Sequence, residues 1–386
     1  MIFVQDAFFL RNLAKHFFFK VLIAFYLMFL YNELKELHHD SWEFTFFVKG
    51  LPIMTTIQDI ADQMGISKST VSKALNDAPD ISEALRKQVL ETAVALGYTK
   101  LRRYKKSTKK VCIIIEKENM RYQEPHHFAY DILVGFRQMA EPAGFDVEIV
   151  PVDVKAQRNQ HYDVFMLEHD YIGAFVVGFS LSDPWIQDFK VSRTPAVLFD
   201  NYMVGNPSTA YVGIDNEEGM ELAVSYLAGL GHRKIAYLSS SLGARVLQAR
   251  HAAFLRSMHQ HGLKTSPATI GCSYYLSECM EKHLPRFLKN GITAIICNQD
   301  TLASATLTQC QQLGFQIPDD ISIIGFDDLP IAACTSPPLT TIRQDRLELG
   351  KSGFFALSSL LNHIPISTYL LHAQLIQRES TGKVPL

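Results

Sequence analysis

Cysteine is scarce in this 386-residue chain, and its six cysteines (Cys112, Cys272, Cys279, Cys297, Cys310 and Cys334) fall at irregular spacings. There is no Cys-x-x-Cys pair and no Cys-x-x-x-x-His cluster, so neither a disulfide framework nor a zinc site is expected. Thiols scattered in this way read as small buried hydrophobes in a reducing compartment. Catalytic motifs are missing too. No Gly-x-Gly-x-x-Gly or phosphate loop is present, and neither a Gly-x-Ser-x-Gly elbow nor a His-Glu-x-x-His helix occurs. An enzyme, a metal or a cofactor therefore has no motif to stand on, and we expect none. Charge of one sign is lacking as well, since the formal net charge is -2. With 47% hydrophobic and 20% charged residues, the composition excludes a disordered chain and a collagen-like repeat. The length predicts two or three domains with sizeable cores.

Aromatics, by contrast, are unevenly spread: 11 of the 25 Phe lie in residues 1–53. There, Phe17-Phe18-Phe19-Lys20 and the stretch Val21 to Tyr31 form an apolar run of about 15 positions. A bilayer span needs ~20. The segment reads as a short anchor, a signal peptide, or upstream sequence before a start at Met54. No small-x-small cleavage site follows it, because Asn32-Glu33-Leu34-Lys35 is large and charged. A complete domain begins straight after Met54. We therefore expect residues 1–53 to be a spurious extension, with a weak membrane anchor as the alternative.

The near-neutral total conceals an asymmetry. Met54 to Lys110 carries 11 Lys/Arg against 6 Asp/Glu, a basic piece joined to a larger acidic one. Within it, three short helices are marked by start and stop signals. Thr56 precedes Asp59 by three positions, as in an N-cap, and Ile57, Ile60, Ala61 and Met64 make an apolar stripe. Gly65-Ile66-Ser67 is a turn and a new cap. The second helix covers about Lys68 to Asn76, with Val71, Ala74 and Leu75 inward. A third begins at Ser82, buries Leu85, Val89, Ala93 and Leu96, and stops at Gly97. Two short helices around a Gly-containing turn form a helix-turn-helix, whose second helix enters the DNA major groove. Its outward face would carry Lys68, Ser69, Ser72, Lys73 and Asn76, residue types that contact guanine, other base edges or phosphates. A solvated polar face on a small bundle is the plainer reading of such a pattern.

The particular strings here decide between them. Ile-x-Asp-Ile-Ala, Gly-Ile-Ser-x-x-Thr-Val-Ser-x-x-Leu-Asn and Val-Leu-Glu-x-Ala-x-x-Leu-Gly-Tyr, all within residues 55–98, resemble the DNA-binding head of the LacI/GalR family of bacterial repressors. The resemblance implies DNA contacts from Thr56, Ser67, Lys68, Ser69, Thr70, Ser72, Lys73 and Asn76. It also implies Met54 as the first residue.

The joint, residues 99–110, departs from that family. Relatives typically carry Pro-Asn and then a hinge helix whose Leu pair pries open the minor groove. Here the joint is shorter, Pro-Asn is absent and Leu101 stands alone. Seven basic residues and no acid lie between Lys100 and Lys110. We expect phosphate clamping by Lys105, Lys106, Lys109 and Lys110 to replace the wedge; a soluble linker is the plainer reading.

From Val111 onward, apolar runs such as Val111-Cys112-Ile113-Ile114-Ile115, Ala174 to Val177, Ala196 to Phe199, Ile235 to Leu238, Ala294 to Cys297 and Ile321 to Ile324 alternate with amphipathic stretches. That rhythm predicts parallel sheets covered on both faces. The family resemblance continues through Val212-Gly213-Ile214-Asp215, Leu230-Gly231-His232-Arg233-Lys234-Ile235, Gly314 to Asp328, Pro338 to Asp345 and Arg378-Glu379-Ser380-Thr381. It implies, over 111–386, a periplasmic-binding-protein-like body of two α/β parallel-sheet subdomains with crossovers near 216, 342 and 371. An all-α helix-turn-helix head over 54–98 completes the expected fold. Effector contacts carried over by position are Asp200, Arg250 and Asp327. Arg245 matches one residue out of register, and Gln299-Asp300 stands where relatives have Asn-Asp. Phe128 and Tyr274 are candidate apolar walls, each otherwise ordinary packing.

Carboxylates accept from vicinal hydroxyls while Arg donates in a fixed fork, so the expected effector is a sugar or sugar derivative. The expected protein is a cytoplasmic, homodimeric regulator, in most such families a repressor, of a pseudo-palindromic double-stranded operator. Other readings are a membrane-anchored DNA-binding sensor using residues 17–31, a sugar-binding module with no regulatory role, and an α/β enzyme with an accessory head.

Overall fold

The computed structural model describes residues 55–99, 109–117, 124 and 127–384, so residues 1–53, Leu101, Lys105 and Lys106 lie outside the described residues. Thr56–Leu386 form one compact unit. It opens with three helices, α1 (Ile57–Met64), α2 (Lys68–Leu75) and α3 (Glu83–Ala95). Each starts where a side chain satisfies orphan backbone N–H groups. Thr56 and Asp59 form a reciprocal capping box, Ser67 accepts from the Thr70 N–H, and Ser82 accepts from the Leu85 N–H. Gly65, at φ 64°, provides the left-handed turn between α1 and α2. Ile60, Ala61, Val71, Ala74, Leu75, Val89, Leu90 and Ala93 make a small core, completed by Val164 and Leu167 of a body helix.

The body begins earlier than the apolar pattern implied. Strand β1 is Lys109–Glu116, because Lys109 and Lys110 already pair in register with Phe145 and Asp146. The expectation that these two lysines clamp phosphate in a linker is corrected by this. Lys110 forms an ion pair with Glu148 at 2.8 Å and lies over the Tyr171 ring, while Lys109 lies over the Phe145 ring.

After β1 come α4 (Phe128–Ala140), β2 (Phe145–Val152), α5 (Tyr162–Glu168), β3 (Ala174–Val177), β4 (Ala196–Phe199) and β5 (Thr209–Ile214). The second half carries α6 (Asn216–Gly229), β6 (Ile235–Ser239), α7 (Arg245–Gln260), β7 (Ile270–Cys272), β8 (Ala294–Cys297), α8 (Asp300–Gln312), β9 (Ser322–Asp327) and β10 (Thr340–Arg343). α9 (Arg346–Leu361), β11 (Thr368–Leu371) and β12 (Gln374–Ile376) follow. Two six-stranded sheets result, ordered β11-β5-β4-β3-β1-β2 and β12-β10-β9-β8-β6-β7. The first five strands of each half thus repeat one order. All pairings are parallel except β10 with β12.

Period-two alternation buries both faces of each sheet. Along β1, Val111, Ile113 and Ile115 enter one core and Cys112 and Ile114 the other. The chain passes between the sheets three times, after Ile214, after Arg343 and between Leu371 and Ala373. Across the first sheet α9 crosses α4 so closely that a Cβ at Gly350 would lie 2.0 Å from the Ile132 carbonyl oxygen. Only glycine permits that approach.

Candidate functional site

Two regions gather the polar side chains singled out by the sequence. On the head, Ser67, Lys68, Ser69, Lys73 and Asn76 are exposed, while Thr70 and Ser72 are half-buried along the same helix face. Several have local duties. Thr56 and Ser67 spend a side-chain oxygen on caps, and the Thr70 hydroxyl lies 2.8 Å from that of Ser67. Lys73 pairs with Asp80, and the Asn76 amide donates to the Ser72 carbonyl at 2.6 Å. The exposed pair and the carbonyl contact are weak enough to be exchanged for other partners.

The second region is the cleft outside the carboxyl ends of the strands, where α/β sheets place ligands. β4 delivers Asp200, β9 ends in Asp327, β8 leads to Asn298 and Gln299, and α7 brings Arg250. Arg250 is buried and engaged through Nε and Nη1. Its Nε donates to Asn216 Oδ1 at 2.9 Å and its Nη1 to the Asn298 carbonyl at 2.7 Å. Nη1 also faces Asp327 Oδ1 at 3.4 Å, and the guanidinium stacks over the Phe326 ring at 3.8 Å. Gln344 Nε2 donates to the same Asp327 oxygen at 2.6 Å. Asp200 differs: its Oδ1 is buried with no hydrogen-bond partner among the described atoms, as is Gln344 Oε1. Burial, strengthened by the Asp327 charge and opposed by Arg250, raises the Asp200 carboxyl from 3.8 to about 7. Burial raises Asp327 as well, against the pull of Arg250.

Asp200 and Asp327 also share a backbone feature that a residue pattern does not reveal. Both occupy the left-handed region, at φ 58° and φ 108°. Such conformations cost about 1–3 kcal/mol each and persist where the surroundings over-determine them. Here they aim two carboxylates away from their strands.

The cleft holds a cavity of about 400 Å³ bounded by His127, Phe128, Asp200, Val246, Leu247, Arg250, Gln299, Thr301, Asp327, Leu329 and Gln344. Asp200, Arg250, Asp327, Gln299 and Phe128 are thus brought together. Three other expected contacts are not. Asp300 faces away from the cavity: its carboxylate accepts from Thr341 Oγ1 at 2.6 Å and the Leu329 N–H at 2.7 Å. Burial and the neighbouring Asp327 raise it to about 8. Arg245 borders a separate cavity with Tyr202 and Tyr211. Tyr274 is 78% exposed and packs edge-on against Tyr275 past the end of β7, so it walls nothing in the cleft. Conversely, Asn216, Asn298, Gln344 and His127 went unassigned from sequence. Gln344 stood inside a quoted motif, and a polar residue in a crossover next to a sheet end was the available signal.

Among the described residues no group of three His, Cys, Asp or Glu side chains is arranged to hold a metal ion. No helix among them is long and apolar enough to cross a membrane.

A helix-turn-helix head on a body of two repeated parallel sheets with a polar cleft defines the class of DNA-binding regulatory proteins that carry a ligand-binding domain. The family model "Bacterial regulatory proteins, lacI family" matches residues 56–100, and "Periplasmic binding protein-like domain" matches residues 224–381. The head is a lacI-family DNA-binding domain, and the chain is a DNA-binding transcriptional regulator. It is 27% identical to the HTH-type transcriptional repressor PurR of Aliivibrio salmonicida, over 86% of this chain and all of that protein. It is 26% identical to the repressor CytR of Escherichia coli K12, over 86% of this chain and 97% of that one. Among solved structures, the transcriptional regulator CelR in its cellobiose complex is similar, with TM-score 0.63 and 21% identity over 84% of this chain and 99% of that chain. The lac repressor dimer bound to operator and the anti-inducer ONPF has TM-score 0.59 and 21% identity, covering 85% and 99%.

Proposed function

We propose that the protein is a cytoplasmic, homodimeric repressor that binds a pseudo-palindromic operator through α2 and is controlled by a carbohydrate effector in the cleft. It is not an enzyme on this reading. The observation that carries the effector half is the pairing of a guanidinium anchored through Nε and Nη1, Arg250, with an unsatisfied buried acceptor, Asp200 Oδ1, across one cavity. A ligand rich in hydroxyl donors would meet that acceptor, while the other acid of the cavity, Asp327, is already engaged by Arg250 and Gln344. One short helix reads few bases, so two copies on half-sites about one turn apart supply specificity. An effector acts by binding one arrangement of the heads more tightly than the other.

The test is fluorescence anisotropy of the full chain with duplexes from upstream of its own and neighbouring genes. Preference for a palindromic duplex, lost in Asn76→Ala and Ser72→Ala, is expected; uniform binding to all duplexes removes the proposal. Neutralising Lys105 and Lys106 should weaken binding to every duplex by a similar factor and flatten its salt dependence by about one unit of slope for each phosphate no longer neutralised. A change in which duplex is preferred would instead require base reading by the joint.

A further inference from the structure

The 400 Å³ cavity is not the end of the cleft. A second cavity of about 460 Å³ shares Asp200 and Val246 with it and extends past them, between Tyr202 and Tyr211 on one side and Arg245 and Gln248 of α7 on the other. Tyr202 and Tyr211 stand edge to face, with ring centroids 6.4 Å apart, beside β4 and β5. The two cavities therefore meet at Asp200 and Val246.

Exposed arginines are ordinarily just solvated, and Arg245 taken alone would carry nothing. Its position changes that. It makes no hydrogen bond or ion pair with any described residue, yet it borders a concave space facing an aromatic pair. Aromatic rings cover the apolar faces of sugar rings, while a guanidinium and an amide donate to the hydroxyls at their edges. Pockets that bury a drug-sized ligand run about 300–1,000 Å³. Either cavity reaches the lower part of that range by itself, and a single pyranose would leave one of them empty.

We propose that the effector is a two-ring carbohydrate of disaccharide size. Its first ring lies against Arg250, Asp327 and Gln299, its linkage passes Asp200 and Val246, and its second ring occupies the Tyr202–Tyr211 cavity. Arg245 donates to the second ring's hydroxyls, joined by the second N–H of Gln248 Nε2, whose first is given to the Leu242 carbonyl at 2.9 Å. This assignment rests on the carbohydrate reading of the cleft given above, and it makes Arg245 a determinant of ligand length.

The experiment is calorimetric titration of the full chain with glucose, galactose and mannose, and with maltose, cellobiose, trehalose, lactose and melibiose. At least one disaccharide should bind tenfold or more tightly than either monosaccharide it contains. Arg245→Ala and Tyr202→Ala should each weaken that disaccharide about tenfold and leave monosaccharide affinity unchanged, with Arg245→Gln recovering part of the loss. Arg245 has no side-chain partner among the described residues to lose, so its variants are expected to fold whatever the outcome for Tyr202→Ala, and the melting temperature of each unliganded variant checks this. Monosaccharides binding as tightly as the disaccharides built from them overturn the proposal. Equal weakening of both sizes by Arg245→Ala overturns it too. Failure of every sugar to bind removes the carbohydrate reading itself, a result distinct from monosaccharide binding alone.

Discussion

The two walls of the cleft are built from sheets with the same strand order, yet they are in different electrostatic states. On the wall contributed by the second sheet, Arg250, Asp327, Asn216, Asn298 and Gln344 form a hydrogen-bonded network in which both the cation and the carboxylate are held, although Gln344 Oε1 is buried without a partner among the described atoms. On the wall contributed by the first, Asp200 projects a carboxylate whose Oδ1 has no partner. Both carboxylates end strands in a left-handed conformation. The repeat of the fold therefore positions an acid on each side, and only local partners decide what each acid does. A prebuilt wall binds without reorganising, whereas an unsatisfied wall gains a bond when a ligand arrives.

Breaking the matched wall should have the largest effect. Arg250→Ala removes the cation from an almost fully buried pair and strands Asp327, Asn216 and the Asn298 carbonyl together. A loss of about 3–5 kcal/mol in unfolding free energy is expected, measured by urea denaturation at pH 7. Effector response should vanish with it. A loss below about 1 kcal/mol would show that the network is no more demanding than the opposite wall, and the contrast would disappear.

Asp200→Asn tests the unmatched wall and should behave in the opposite way. Asparagine retains the shape and removes a charge that has no partner, so unfolding free energy at pH 7 should stay within about 0.5 kcal/mol or rise. Effector affinity in a titration should nevertheless fall about tenfold, equivalent to about 1.4 kcal/mol, because a charged acceptor becomes a neutral one. A large loss of stability from this variant would mean that Asp200 is held by its surroundings as firmly as Asp327.

The sequence foretold this architecture unevenly, and the reasons are local. Head helices were legible because Thr56, Ser67, Ser82 and Gly65 punctuate them through caps and a turn, each acting over three or four residues. The central strands β1, β3, β4, β6, β8 and β9 were legible as continuous apolar runs because both their faces are buried, whereas the edge strands, a partly exposed β2 and a largely exposed β11, were not. What stayed hidden was anything set by long-range packing. Lys109 and Lys110 look like linker charges until register with Phe145 and Asp146 makes them strand residues. Asp300 looks like a cleft contact until Gly325 admits its carboxylate: a Cβ there would stand 2.1 Å from Asp300 Oδ1. Tyr274 looks like a cleft wall until the path of the chain beyond β7 carries it to the surface. The completion of the head's core by Val164 and Leu167 has no signature in the sequence, because each is an ordinary apolar residue of a body helix.

The finest test of the contrast is on pH. Asp200 titrates at about 7 in the folded protein against an ordinary 3.8, so between those values the folded state holds a proton that the unfolded chain has released. Stability from this group is therefore lost as pH rises from about 4 to 7. Asp300, raised to about 8, acts in the same direction over a slightly longer range. Asp200→Asn should remove the first contribution and leave the second, giving a shallower fall in urea midpoint over about pH 4–7 with the residual slope persisting toward about 8. Binding carries the opposite sign. Hydroxyl donors favour the ionised carboxylate, so a ligand must expel the proton at about pH 6 but not at about pH 8, and affinity should rise severalfold across that interval. In Asp200→Asn the affinity profile should be flat. A wild-type profile equally flat would mean that the Asp200 oxygen is never presented with a donor, and the unmatched wall would then be a structural accident with no part in the response.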